Sequence, residues 1–485
     1  MTENNDVKKI TGRYFQEALK GRLQTEKKKL KLIISVIVLM FFTFFPLPIP
    51  QKIQWTLGIF LFAALMWSFE VLPLPVTSLI VPVLLVAYGV FEEGATAAFA
   101  SFAHPVIYIL LSSIIIAEAI RKHGLDRRLS LMILSKIKGS IKSVLLALLF
   151  VTTFLSMWIS NTAVLAIFIP IILVIVEKIE DPQDKKNLTI LLLVGASIGT
   201  ALGGMATITG TGPNALASGF IEEVTTFTFI DWMKIGLPSA LLIMIATLLV
   251  LLKLFPVKLP SINISEIRQE RSNLPPLSNG EKKTLGVFIP TVVLWIIGSE
   301  IEAAFGLPRT LLSVAVVGIA AAVILFAIGA LEWDDARLGA FGMYLLLGAG
   351  IALGKAFLVS GTANWIATLL IQPLAGIPLF AVVILITFVT ILITNVLANT
   401  ATVAICTPIA ISIALLLGLN PSVTVMAVGL AASLALCTVF GTPNNALLVN
   451  TGVINRKDLM KSGVIVALIG GLVISVVVIL FSFQA

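Results

Sequence analysis

The sequence predicts an all-α polytopic membrane protein with about eleven transmembrane helices, two re-entrant hairpins and two inverted repeats. Three observations carry this expectation. Hydrophobic residues make up 58% of the 485 positions and charged residues only 12%, with a mean hydropathy of +1.07. That balance belongs to membrane-embedded chains rather than to water-soluble ones. From Ser143 to Val176 there are 34 consecutive residues without Asp, Glu, Lys, Arg or His, interrupted in the middle by the polar triplet Ser160-Asn161-Thr162. A related triplet, Ala398-Asn399-Thr400, recurs at an offset of 238 residues.

Residues 1–30 form a polar, basic leader without the apolar core of a cleavable signal, and residues 31–53 form an extra first span ahead of the repeats. The first repeat covers 54–255, with apolar segments at 54–69, 74–91, 104–120 and 233–252, a hairpin at about 141–177 and a broken span at about 188–222. A single straight helix of 34 residues would be roughly 51 Å long, against a hydrocarbon core of roughly 30 Å. Two half-length helices meeting at a polar tip fit this length; one long tilted helix turning Ser and Asn to a neighbour is the other reading. Segment 188–222 exceeds one plain span and carries Gly and Pro at 203–213. Residues 256–283 are a cytoplasmic linker. The second repeat, 284–485, has apolar segments at 284–299, 308–330, 338–359 and 462–483, a hairpin at about 376–417 and a broken span at about 421–450. The 100 positions between Lys355 and Arg456 hold no charged residue and no histidine.

Placing the N-terminus in the cytoplasm puts 29 Lys and Arg on inner segments and leaves four, Lys52, Lys234, Arg309 and Lys355, elsewhere. This asymmetry follows the positive-inside rule and puts the C-terminus outside. The acidic Glu332-Trp333-Asp334-Asp335 is the one inner loop that runs against it. The +8 net charge lies between spans and is no nucleic-acid signal. Cys406 and Cys437 sit in apolar runs and support neither a disulfide framework nor a zinc site.

Self-similarity extends beyond the hairpin tips. Gly210-Thr211-Gly212-Pro213-Asn214 pairs with Gly441-Thr442-Pro443-Asn444-Asn445 at offset 231, and Ala117-Glu118-Ala119 with Gly124 pairs with Gly354-Lys355-Ala356 with Gly361 at offset 237. About five spans per repeat, an odd number, sends the two halves into the membrane in opposite directions. Inverted repeats with interrupted helices in corresponding places mark a secondary transporter, its site near the midplane at the repeat interface.

Each interruption pairs a helix C-terminus, rich in free carbonyls, with a helix N-terminus carrying free N–H groups and partial positive charge. Asn161, Thr162, Asn399 and Thr400 begin half-helices where donors can converge on a carboxylate, and Thr211 and Thr442 can do the same from the broken spans. The two sets suit the two ends of a small dianion. Carbonyls near Gly210 and Gly441, with oxygens from Ser156, Ser160, Asn161, Thr394 and Asn399, suit sodium. Each of these polar residues, taken alone, also serves as interhelical hydrogen-bond glue. No carboxylate lies deep in a span; Glu118 sits near an inner end beside Arg121 and Lys122, and His104 and His123 lie at span ends. A relay of embedded acids is therefore poorly supported, and sodium coupling is favoured over proton coupling.

At these residues the chain resembles the divalent anion:sodium symporter family, whose members carry a Ser-Asn-Thr motif at each hairpin tip. The segment Ser156-Met157-Trp158-Ile159-Ser160-Asn161-Thr162-Ala163 carries the likeness, which covers the chain from about residue 54 onward. The resemblance implies transport of di- or tricarboxylates of the succinate, malate and fumarate class (sulfate in some branches). It also implies a homodimer in lipid, with a fixed scaffold and an elevator-like transport domain. Carried over, Ser160, Asn161, Thr162, Thr211, Asn399, Thr400, Thr442 and Pro443 would contact substrate. Ser156, Ser160, Asn161 and Gly210 would form one sodium site, and Thr394, Leu397, Asn399 and Gly441 the other. No organic cofactor is implied. Ala398 departs from the motif's serine, and Gly212 and Asn444 stand where a Pro-Pro pair is common. Members that exchange dicarboxylates without sodium exist, so symport and exchange both remain open. An anion channel, an anchoring protein and a membrane enzyme are the readings from other classes. The last would need a clustered set such as His-Glu-x-x-His, which two scattered histidines cannot supply.

Overall fold

The computed structural model describes residues 28–482 apart from Lys138, 337–340, Ala375 and Phe440. The basic leader up to residue 27 and Arg337 lie outside the described residues. All regular structure among the described residues is helical. Helix α1 (28–44) turns into α2 (Gln51–Phe69), and Gln54 closes the turn by donating to the carbonyls of Phe42 (2.7 Å) and Phe45 (2.8 Å). Next come α3 (Leu74–Ala87), the short α4 (Ala95–Ala100), α5 (Pro105–Lys122) and α6 (Leu125–Leu134).

The first hairpin is α7 (Ile141–Ser156) and α8 (Asn161–Glu177), joined by the tip 157–160. The long stretch is thus two half-length helices, not one tilted helix. The broken span is α9 (Pro182–Ala206), a single 3-10 turn (Ile208–Gly210) and α10 (Gly212–Glu222). Pro213 at the second helical position needs no intrahelical donor, so α10 starts where a proline is tolerated. Helix α11 (Phe229–Leu254) closes the first half, its start fixed by a reciprocal capping box between Thr228 and Asp231.

After the linker helix α12 (Ser265–Ser272), the second half runs α13 (Asn279–Phe305), α14 (Val314–Ala327), α15 (Phe341–Val359) and α16 (Thr362–Leu374). The hairpin α17 (Leu379–Thr394) and α18 (Asn399–Leu416) follows, then the broken pair α19 (Pro421–Ala432) and α20 (Pro443–Asn450), and finally α21 (Arg456–Ser482). Each of the eleven expected spans and both hairpins has a helix or helix pair in its place. Among the described residues, eight helices are long and apolar enough by themselves to cross a membrane, one of them the hairpin arm α18.

Helix α16 is the element that hydropathy left undivided, because its residues fall in the chargeless stretch. It matches α6 in the first half: Gly124 (φ +71°) and Gly361 (φ +76°) make the same left-handed turn before them. The internal prolines Pro170 of α8 and Pro408 of α18 also stand nine residues after Asn161 and Asn399.

Helix α9 is buried along its whole apolar length. Gly195, Gly199 and Gly203, four apart on one face, let it press against α7. A Cβ at Gly199 would sit 2.1 Å from the Thr152 hydroxyl, and one at Gly203 would sit 2.0 Å from the Thr153 carbonyl. The acidic loop 332–335 is held by a basic partner: Asp335 accepts from Lys122 (2.5 Å), a bond that holds its carboxyl below the ordinary carboxylate range. Glu118 pairs with Arg121 (2.7 Å).

Candidate anion-binding site

Four helix starts meet where the hairpin tips approach the two breaks. At the first tip Ser156 Oγ donates to Asn161 Oδ1 (2.7 Å), and at the second Thr394 Oγ1 shares its one proton between Asn399 Oδ1 (3.0 Å) and the Ala432 carbonyl (2.9 Å). Both asparagines therefore have their amide oxygens engaged, and among the described residues neither Nδ2 group has a partner. The same four residues set for cation binding, Ser156 with Asn161 and Thr394 with Asn399, are thus brought into contact as oxygen pairs.

The tips are tied to the breaks by bonds that repeat from one half to the other. Thr207 Oγ1 donates to the Met157 carbonyl (2.7 Å), and Thr438 Oγ1 to the Asn395 carbonyl (2.5 Å). Asn214 Nδ2 donates to the carbonyls of Gly204 (2.8 Å) and Thr207 (2.7 Å); Asn445 Nδ2 does so to Ala435 (2.9 Å) and Thr438 (2.7 Å). Carbonyls freed by the interruption are thereby satisfied, as buried backbone requires. Sequence reasoning assigned these threonines and asparagines no role, although Thr207 with Thr438 and Asn214 with Asn445 share the 231-residue offset.

Contacts also run between halves. Thr162 Oγ1 donates to Asn444 Oδ1 (3.0 Å), joining the first tip to the second break. In the opposite direction, a Cβ on Gly212 would lie 3.5 Å from the Thr400 hydroxyl, so the second tip meets the first break. Gly204 sits beneath both Asn161 and Thr211: a Cβ there would be 2.5 Å from Asn161 Oδ1 and 2.5 Å from Thr211 Cγ2. Gly210 and Gly441 are buried in the bends, a Cβ on Gly441 falling 3.3 Å from the Thr394 carbonyl. Leu397 lies in the second tip, its amide donating to Ile393 (2.9 Å). Pro443 opens α20 and is exposed.

The helix starts are poised for an anion. Ser160 before α8, Thr211 before α10 and Ala398 before α18 make no side-chain cap, so first-turn N–H groups there are not taken up locally. Ser and Thr are residue types that ordinarily cap. The Thr211 hydroxyl is buried and has no partner among the described residues, and Ser160 is exposed at its tip. Thr442 is the exception, accepting from the Asn445 amide (3.4 Å). Converging N–H groups and partial positive charges attract an anion without a charged side chain.

Further out, Glu223, just beyond α10, lies 3.0 Å from Lys355 Nζ and 3.3 Å from His104 Nε2. His104 Nδ1 accepts from the Val106 amide (3.3 Å), so Nε2 carries the proton donated to Glu223. The His104 bond, helped by Lys355 and opposed by burial, holds the Glu223 carboxyl below its ordinary range.

A profile of the sodium:sulfate symporter transmembrane region matches residues 25–483. An uncharacterized transporter of Methanocaldococcus jannaschii is 32% identical over 424 residues, covering 87% of this chain and 93% of that transporter. A sodium-dependent dicarboxylate transporter of Staphylococcus aureus is 28% identical over 477 residues, covering 92% of this chain and 89% of its own length. Among solved structures, the Alcanivorax borkumensis YdaH transporter aligns with a TM-score of 0.54 at 14% identity, covering 90% of this chain and 99% of that one, a likeness of fold alone. With nearly its whole length matched, the chain belongs to the sodium:sulfate symporter family of membrane transporters, the divalent anion:sodium symporters that its hairpin motif resembles.

Proposed function

We propose that the protein is a secondary active transporter that carries small di- and tricarboxylates of the succinate, malate and fumarate class in symport with sodium. The observation that carries the reading is the meeting of four helix starts, three of them uncapped, around amide and hydroxyl donors from both halves. In this reading Ser160, Asn161, Thr162 and Thr211 take one end of the dianion, and Asn399, Thr400, Thr442 and Pro443 the other. Sodium lies among Ser156, Ser160, Asn161 and Gly210 in one half, and among Thr394, Leu397, Asn399 and Gly441 in the other. Neutral oxygens and bend carbonyls suit a hard monovalent cation. The sodium-dependent dicarboxylate relative supports the same substrate and ion.

Each hairpin is bonded to its broken span through Thr207 or Thr438, which supports a transport domain moving as one body against a scaffold. The chain divides into two repeats, 54–255 and 284–485, and each contributes its hairpin and broken span to that moving domain. The transporter works as a homodimer in the cell membrane, with its N-terminus in the cytoplasm and its C-terminus outside.

Uptake of labelled succinate into proteoliposomes tests the reading. One batch is empty and given an inward sodium gradient; the other is preloaded with unlabelled malate in sodium-free buffer. Accumulation only with the gradient is the expected result. Uptake only into preloaded vesicles would make the protein an exchanger, and uptake in neither would remove the dicarboxylate assignment.

A further inference from the structure

Thr162 and Thr400 hold matching places at the two tips, but their hydroxyls are not equivalent. Thr162 Oγ1 donates to Asn444 Oδ1 (3.0 Å), Asn444 Nδ2 donates to Thr200 Oγ1 (2.8 Å), and Thr200 Oγ1 donates to the Ser197 carbonyl (2.7 Å). The last bond sets the sense of the chain. A hydroxyl has one proton, and Thr200 has committed its own to a carbonyl, so it can only accept from Asn444. The Asn444 oxygen is left facing Thr162, where it takes that proton. Thr200 is fully buried and Asn444 nearly so. In the other half the position matching Asn444 is Pro213, whose ring offers no hydrogen bond, and among the described residues the Thr400 hydroxyl has no partner.

We propose that Asn444 determines substrate specificity: by holding the Thr162 proton it turns one end of the site into an acceptor for a substrate hydroxyl. The transporter then favours a 2-hydroxy dicarboxylate over its unsubstituted counterpart. This rests on the reading of Thr162 as a substrate contact. A bare carboxylate oxygen brought against Thr162 meets lone pairs and is repelled, unless Thr162 leaves Asn444 with a buried, unpaired amide oxygen, which is costly. A hydroxyl beside the carboxylate donates to Thr162 and leaves the chain of bonds intact. The opposite end, with a free Thr400 hydroxyl and Ala398 in place of serine, receives the plain carboxylate.

The test is initial uptake of labelled malate and of labelled succinate into proteoliposomes, under an inward sodium gradient and in counterflow against unlabelled substrate. Wild type should prefer malate. Asn444→Ala should lower the malate-to-succinate ratio about threefold to tenfold, the range of one hydrogen bond, mainly through KM. Thr200→Val frees the amide to turn its nitrogen toward Thr162 and should move the ratio the same way; it decides the matter if Asn444→Ala does not fold. An unchanged ratio, or a proportional loss of both substrates as a packing role would give, overturns the proposal. Thr162→Val separates the two layers. If it leaves uptake of both anions unaltered, the placement of Thr162 at the site fails. If it alters uptake while the Asn444 and Thr200 variants keep the wild-type ratio, only the role of Asn444 fails. Wild-type uptake of neither anion overturns both.

Discussion

Asn161 and Asn399 each commit the amide oxygen to a hydroxyl across the tip, Ser156 or Thr394 at the end of the preceding hairpin arm, and keep the nitrogen available as a donor. In the proposed site an alanine at either position would remove an anion donor and a cation oxygen together. Asn161→Ala and Asn399→Ala should each lower succinate uptake at least about a hundredfold, as the loss of two charge-assisted contacts implies. Both variants should elute as folded protein from size-exclusion chromatography in detergent. Near-normal uptake by both would remove the paired-tip site. These residues were legible because the Ser-Asn-Thr and Ala-Asn-Thr motifs interrupt apolar runs. Asn444 was legible only as a departure from a proline pair; its partner Thr200 lies 244 positions away, a separation no local pattern encodes.

At the scale of elements, the α7–α9 contact depends on absent side chains. Gly199 and Gly203 bring the backbones close enough for Thr153 Oγ1 to donate to the Gly199 carbonyl (3.1 Å). In a membrane such packing, rather than hydrophobic exclusion, holds helices together. Gly199→Leu should destabilise the protein by about 1–3 kcal/mol, seen as a lower melting temperature in detergent. Gly286→Leu on α13 is the control, since a Cβ there meets nothing within 4 Å. Equal melting of the two variants would mean that α7 and α9 are not so closely packed. The glycine spacing is visible in the sequence, but the helix it faces is not. Helix α16 shows the converse limit: without a charge to mark its ends, only Gly361 hinted at a boundary, through its match to Gly124.

At the scale of the molecule, the Glu223 cluster joins the start of α5, the end of α10 and the last turns of α15. Because the folded protein holds the Glu223 carboxyl below its ordinary range, the cluster stabilises the fold while Glu223 is ionised. That contribution is present above the unfolded-state carboxylate pKa and is lost as pH falls through the lowered value. Glu223→Gln should therefore lower the melting temperature at pH 7 and flatten its decline toward acid. A variant that loses stability toward acid as steeply as wild type would place the acid sensitivity elsewhere. Sequence reasoning left Lys355 among the four basic residues off the inner segments and matched it to Glu118. The partners differ, Arg121 on the same helix for one and Glu223 on another element for the other.

What the sequence determined by itself was the architecture and the set of residues that make up the candidate site. A chargeless run too long for one span and too short for two favours a fold-back, and a polar motif repeated at a nearly constant offset marks corresponding places in the two halves. Those are constraints of bilayer thickness and backbone satisfaction, and they act along the chain. Tertiary structure decided which proton each hydroxyl gives away. Thr162 and Thr400 read alike in sequence, but one half brings an asparagine to its neighbour and the other half brings Gly212. Hydrogen-bond direction depends on partners hundreds of residues apart, and only their packing together assigns it.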